Sequence, residues 1–163
     1  MIKIPEKVKV AVQGKTISIE GPKGKLARTF NMLDLKLEVK DSAVYVACPS
    51  LMMGNTVESH IKNMMAGVTE GYAKKMQLIY SHFPITVEVK GPVVNIKNFQ
   101  GEKKPRRAKI VGTTKVEVKG QEVFITGIDK EAVGQTIANL STATKIKNRD
   151  SRVFQDGLYT VEE

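Results

Sequence analysis

Residues 8–24 read VKVAVQGKTISIEGPKG, and residues 85–101 read ITVEVKGPVVNIKNFQG. Laid together without a gap, they put Val8, Val10, Val12, Gly14, Ile17, Ile19 and Gly24 on Ile85, Val87, Val89, Gly91, Val94, Ile96 and Gly101. The echo continues downstream. KLEVKDSAVYVA at 36–47 matches KVEVKGQEVFIT at 115–126, and VESHIKNM at 57–64 matches VGQTIANL at 133–140. Solenoid units repeat every ~20–50 residues, so this longer period points to two tandem copies of one small domain. The expected division is residues 1–82 and residues 83–163.

Each copy carries the same local signals. Val8, Val10 and Val12 alternate with polar positions, Gly14-Lys15 turns the chain, and Ile17 and Ile19 resume the alternation. Period-two alternation around a glycine turn predicts a hairpin with one buried face. A second hairpin is predicted from Leu37 and Val39 through Asp41-Ser42 to Val44 and Val46. Its counterpart runs from Val116 and Val118 through Gly120-Gln121 to Val123 and Ile125. Val57, Ile61, Met64, Met65 and Val68 then fall on one face of a helix, for which Asn55 is the expected N-cap with Glu58 completing a capping box. Val133, Ile137 and Leu140 repeat that spacing behind Asp129. The fold class read from this order is α+β, two duplicated lobes in which an antiparallel sheet packs against one helix. Lys74, Met76, Leu78 and Tyr80 are read as a strand closing the first sheet, and residues 158–163 as a short strand-like tail.

Composition excludes several classes of function. A single cysteine, Cys48, rules out an internal disulfide and a cysteine zinc site, and suits a reducing cytoplasm. No apolar stretch approaches a membrane span, and Met1-Ile2-Lys3-Ile4-Pro5 reads as the start of a strand rather than a signal peptide. His60 and His82 lack a carboxylate or cysteine at a spacing that suits catalysis or metal binding. For His82 a local hydrogen-bonding role and a special one weigh equally, and Cys48 is given a packing role. Gly21-Pro22-Lys23-Gly24-Lys25 lacks the spacer and the Ser or Thr of a phosphate-binding P-loop, so it is read as a turn with two available lysines. No catalytic residue, metal, cofactor or small-molecule substrate is expected.

Charge gives the positive signal. The chain has 26 Lys and Arg against 17 Asp and Glu, a net charge of +9. This favours a polyanionic partner. The two copies carry nearly equal net charge, but only the second concentrates its cations. Lys97, Lys103, Lys104, Arg106, Arg107 and Lys109 form one tract, opposed by Glu102 alone. Lys145, Lys147, Arg149 and Arg152 form another, opposed by Asp150. Gly101 and Pro105 break regular pairing, so the 97–109 tract is read as a basic loop, with both tracts on one side of the lobe. Lysine supplies a mobile point charge and arginine a fork for phosphate oxygens. Phe99, Phe154 and Tyr159 lie among these charges as candidate base or sugar contacts. With no base-stacking signature or GXXG clamp, the expected mode is recognition of folded RNA by shape and backbone. The competing reading is a module recruiting an acidic protein.

Several stretches resemble the sixth universal protein family of the large ribosomal subunit, in its archaeal and eukaryotic form (ribosomal protein L nine in eukaryotes). They are Ile4-Pro5-Glu6, Gly67-Val68-Thr69-Glu70-Gly71-Tyr72, His82-Phe83-Pro84-Ile85, Asn98-Phe99-Gln100-Gly101-Glu102 before Arg106-Arg107, Asp129 to Thr136, Lys145 to Asp150, and Phe154 to Tyr159. The resemblance implies a non-catalytic ribosomal constituent in the cytoplasm, among neighbouring large-subunit proteins. It further implies that the second lobe binds large-subunit rRNA near the sarcin–ricin loop, where translation factors dock. Arg106-Arg107 and the 145–152 tract would be the RNA-facing segments. Gln100 departs from the family's Asn-Phe-x-Gly-Glu pattern, which has an apolar residue there. The close typical of bacterial members is absent.

Overall fold

The computed structural model describes residues 2–5, 7–31, 35–40, 43–150 and 152–161. The predicted turn at Asp41-Ser42 and the terminal Glu162-Glu163 fall outside them. The chain divides into two compact units, Met1–Gly71 with Ile128–Lys130, and Tyr72–Gly127 with Glu131–Glu163.

In the first unit, strands β1 (Ile2–Lys3), β2 (Lys9–Gln13), β3 (Thr16–Gly21), β4 (Gly24–Thr29), β5 (Lys36–Lys40) and β6 (Ala43–Ala47) precede helix α1 (Leu51–Thr69). They form two antiparallel sheets, ordered β2-β3-β4 and β1-β6-β5. The apolar alternation does what it predicts. Ile17, Ile19 and Val44 from the strands meet Val57, Ile61 and Val68 from α1, all fully buried. Each such side chain contributes roughly 1.5–3 kcal/mol of transfer free energy.

The α1 cap is a correction. The helix begins at Leu51 behind Ser50, so Asn55 lies inside its second turn, and Glu58 approaches Lys62 at 3.9 Å rather than completing a capping box. At the other end, the β3–β4 turn closes on the helix. Lys23 N–H donates to the Val68 carbonyl at 3.0 Å, and Lys23 Nζ donates to the Glu70 carbonyl. A cation is favoured at this terminus, where carbonyls lack helical partners. Lys23 therefore serves the helix end rather than a phosphate. The approach is close enough to require glycine: a Cβ on Gly21 would lie 2.8 Å from Val68 Cγ2 and 2.9 Å from the Val68 carbonyl oxygen. Gly21→Ala is expected to cost about 1–3 kcal/mol by overpacking, read as a lower urea midpoint. An unshifted midpoint would contradict this contact.

The second unit contains β7 (Tyr72–Ile79), β8 (Thr86–Lys90), β9 (Val93–Lys97), β10 (Arg106–Lys109), β11 (Lys115–Lys119), β12 (Glu122–Gly127), all but the first residue of α2 (Lys130–Ala143), and β13 (Gly157–Thr160). Its sheets are ordered β10-β9-β8 and β11-β12-β7-β13. Gly91 turns β8 into β9 with φ 58°, as Gly14 turns β2 into β3 with φ 61°. The α+β class and the duplication stand, with the strands of each unit split between two sheets.

Strand β7 corrects the expectation that residues 74–80 close the first sheet. It pairs antiparallel with β12, Met76 opposite Val123, as β1 pairs with β6, Ile2 opposite Val44. Val123 is the repeat counterpart of Val44, so β7 is the second copy's version of β1. By contact, this strand lies with the second of the two compact units, which begins at Tyr72. The gapless repeat alignment also breaks after Lys97. Residues 98–105 separate β9 from β10, whereas only Pro22 and Lys23 separate β3 from β4. Gly24 opens a strand, while its sequence match Gly101 lies in a 3₁₀ turn at Phe99–Gly101.

Candidate nucleic-acid interface

The expected basic loop is a strand in its second half. Arg106–Lys109 form β10, paired antiparallel with β9, Arg106 opposite Ile96 and Ala108 opposite Val94. Side chains alternate across a strand. Ala108 is buried and Arg107 and Lys109 are exposed, so Arg106 shares the inward face with Ala108. The duplication explains this placement. Leu26 pairs with Ile19 in the first copy as Arg106 pairs with Ile96 in the second. An arginine thus holds a register position that its sister copy fills with leucine.

Each nitrogen of the Arg106 guanidinium has a partner within the chain. Its Nε donates to Glu102 Oε2 at 2.9 Å and its Nη2 to Glu102 Oε1 at 2.5 Å, while Nη1 donates to the carbonyls of Ala143 and Lys145, both at 3.0 Å. Its guanidinium lies 4.1 Å from the centre of the Phe99 ring. The hydrogen bonds from Arg106 hold the Glu102 carboxyl below its ordinary range. Phe99 is fully buried in the second unit's core, which corrects its reading as a base contact: no face of the ring is open. Gln100, the departure from the family pattern, takes φ 50°, and its buried Nε2 has no hydrogen-bond partner among the described residues.

Lys97 is also engaged. Its ammonium lies 2.6 Å from Glu88 Oε1, and that hydrogen bond lowers the carboxyl's pKa. Lys103, Lys104, Arg107 and Lys109 remain exposed and form no ion pair among the described residues. The second tract starts where α2 ends. Thr144 anchors it, donating from Oγ1 to the Leu140 carbonyl and accepting from Leu158 N–H, both at 3.2 Å. Lys145, Lys147 and Arg152 are exposed. Arg149 lies 4.7 Å over the ring of Phe154, which also stacks on His82 at 4.8 Å. Phe154 is accordingly half-buried and partnered, whereas Tyr159 is 47% exposed with its hydroxyl donating to the Gln155 carbonyl at 3.1 Å.

The two tracts meet at their roots. Besides Arg106, which reaches Ala143 and Lys145, Asn139 Nδ2 donates to the Lys109 carbonyl at 2.8 Å. Sequence reasoning counted Glu102 only as an opposing charge and missed its two-point pairing with Arg106. The signal was present in Arg106-Arg107-Ala108-Lys109-Ile110, whose alternation turns Arg106 inward beside Ala108 and so calls for an acceptor within reach of its guanidinium.

No group of three acidic, histidine or cysteine side chains suited to a metal occurs among the described residues. His82 has local polar neighbours, with Nδ1 2.9 Å from Ser81 Oγ and 3.5 Å from Asp156 Oδ2. Cys48 packs against the first unit's core. No described helix is long and apolar enough to cross a membrane.

Comparison with known proteins is consistent along the whole chain. The family described as Ribosomal protein L6 matches twice, over residues 4–71 and 83–157. The large ribosomal subunit protein uL6 of Methanosarcina mazei is 47% identical, covering 99% of this chain and 95% of its own length. The protein of the same name from Archaeoglobus fulgidus is 44% identical over 100% of this chain and 88% of its own, and that from Staphylothermus marinus is 46% identical over 97% and 90%.

Proposed function

The chain belongs to the ribosomal protein L6 family, structural and non-enzymatic components of the large ribosomal subunit, and on that premise we propose that its second unit docks on large-subunit rRNA through the paired basic tracts. The supporting observation is the convergence of two cationic tracts at one end of α2, with Lys103, Lys104, Arg107, Lys109, Lys145, Lys147 and Arg152 exposed. Such side chains neutralise phosphates and release condensed counterions, which supplies affinity without reading sequence. Arg149 backed by Phe154, together with Tyr159, offers ring and guanidinium faces to an unpaired base or a sugar. Lys97 and Arg106 contribute to the site through their internal partners. The docking region is the neighbourhood of the sarcin–ricin loop, beside the landing site of translation factors, with neighbouring large-subunit proteins completing the contacts.

If all seven free cations meet phosphates, log K should fall against log salt with a slope of roughly −5 to −6. The measurement is binding to deproteinised archaeal large-subunit rRNA over a salt series, with nuclease-treated RNA as the control. A slope near zero, or binding that survives nuclease, would sink the RNA reading.

A further inference from the structure

Glu102 is an acid placed within the basic surface. Simple electrostatics makes it a liability, because a carboxylate near docked phosphates repels them. Its geometry argues the opposite role. Both carboxylate oxygens are taken by Arg106, in the two-point geometry that fixes a guanidinium's plane as well as its position. With that plane fixed over Phe99, the remaining nitrogen points at two carbonyls, those of Ala143 and Lys145. These close α2 and open the second tract. Carbonyls at a helix C-terminus lack helical donors, so a cation there satisfies them and opposes the negative end of the helix dipole. One side chain therefore joins the segment carrying Lys103 and Lys104 to the segment carrying Lys145 and Lys147.

We infer that Glu102 and Arg106 are positioning residues that lock the two basic tracts into one surface, so that Glu102, despite its charge, strengthens RNA binding. This rests on the rRNA reading above and adds to it a role for an acid that composition counts against the site. Without the lock, each tract keeps its charges but must lose chain entropy on docking, a cost the folded protein has already met in the intact surface.

Two variants of the full chain test it, compared on deproteinised archaeal large-subunit rRNA well below their melting temperatures, so that the folded fraction is equal. Glu102→Gln removes a negative charge and Arg106→Lys leaves net charge unchanged. Each is expected to weaken binding about tenfold, the worth of one bidentate charge-assisted pair. Unchanged or tighter binding by Glu102→Gln would overturn the inference, since it would mean that the acid only repels RNA or masks an arginine. Unchanged binding by Arg106→Lys would overturn it too, because only the planar fork reaches Glu102 and both carbonyls. A control with Lys103→Glu and Lys104→Glu separates the two levels. Loss of binding there, with none in Glu102→Gln, removes the lock and keeps the rRNA reading; no loss in the control removes the rRNA reading itself.

Discussion

Replacing Lys103, Lys104 and Arg107 together with glutamate is expected to lower affinity for large-subunit rRNA by at least ~10³-fold near 0.1 M salt. The three side chains are exposed and unpaired among the described residues, so each is free to meet a phosphate. Losing three phosphate contacts removes close to three log units through counterion release alone, and the new carboxylates add repulsion. Stability should change little, because exposed positions away from caps and buried networks tolerate substitution within about 0.5 kcal/mol. The readouts are filter binding to deproteinised rRNA and incorporation into large subunits by gradient sedimentation, with thermal unfolding as the folding control. A well-folded triple variant that still enters subunits at wild-type efficiency would falsify the proposed surface.

Phe99→Ala is expected to carry the largest stability cost of any single change in the site, about 3–5 kcal/mol. The ring is fully buried among Val94, Ile96, Ala108 and Leu158, so its loss leaves a cavity in the core beneath the basic strand. Arg106 rests on that ring, and removing it also takes away the cation–π contact that helps orient the guanidinium. RNA affinity should therefore fall as well, by disordering the surface rather than by losing a base contact. Urea unfolding of the full chain measures the first effect, and Tyr159→Ala, at an exposed position, gives the contrast of a much smaller loss. If Phe99→Ala proved as stable as the parent while losing RNA affinity, the ring would have to meet RNA and the buried placement would be wrong.

Much of the fold was legible because the repeat states each pattern twice. Val8 to Ile19 and Ile85 to Ile96 alternate around a glycine turn in both copies, and the burial of Ile17, Ile19, Val94 and Ile96 follows. Strand β7 was misassigned for a physical reason. Its own alternation, Met76 and Leu78 inward, fits a sheet in either copy, and only pairing with β12 and β13 decides which. The cap of α1 was placed late because Leu51, Met52 and Met53 are exposed, so the apolar stripe used to find the helix begins nearly two turns after the helix does. In the site, charge clustering found the right region and could not grade its members. Lys97 and Arg106 look as free as Lys103 in the sequence, yet one holds Glu88 and the other holds Glu102.

The chain's own order of residues determined the α+β class, the duplication and the location of positive charge. These depend on local periodicity and composition, which short-range sterics and the hydrophobic effect impose wherever the segment lies. Tertiary structure alone decided which copy owns β7, which ring is buried, and which cations are spent on internal partners. Those outcomes depend on distant residues such as Glu102, Ala143 and Lys145 meeting Arg106, and a hydrogen bond spanning thirty-nine residues leaves no mark on the local pattern.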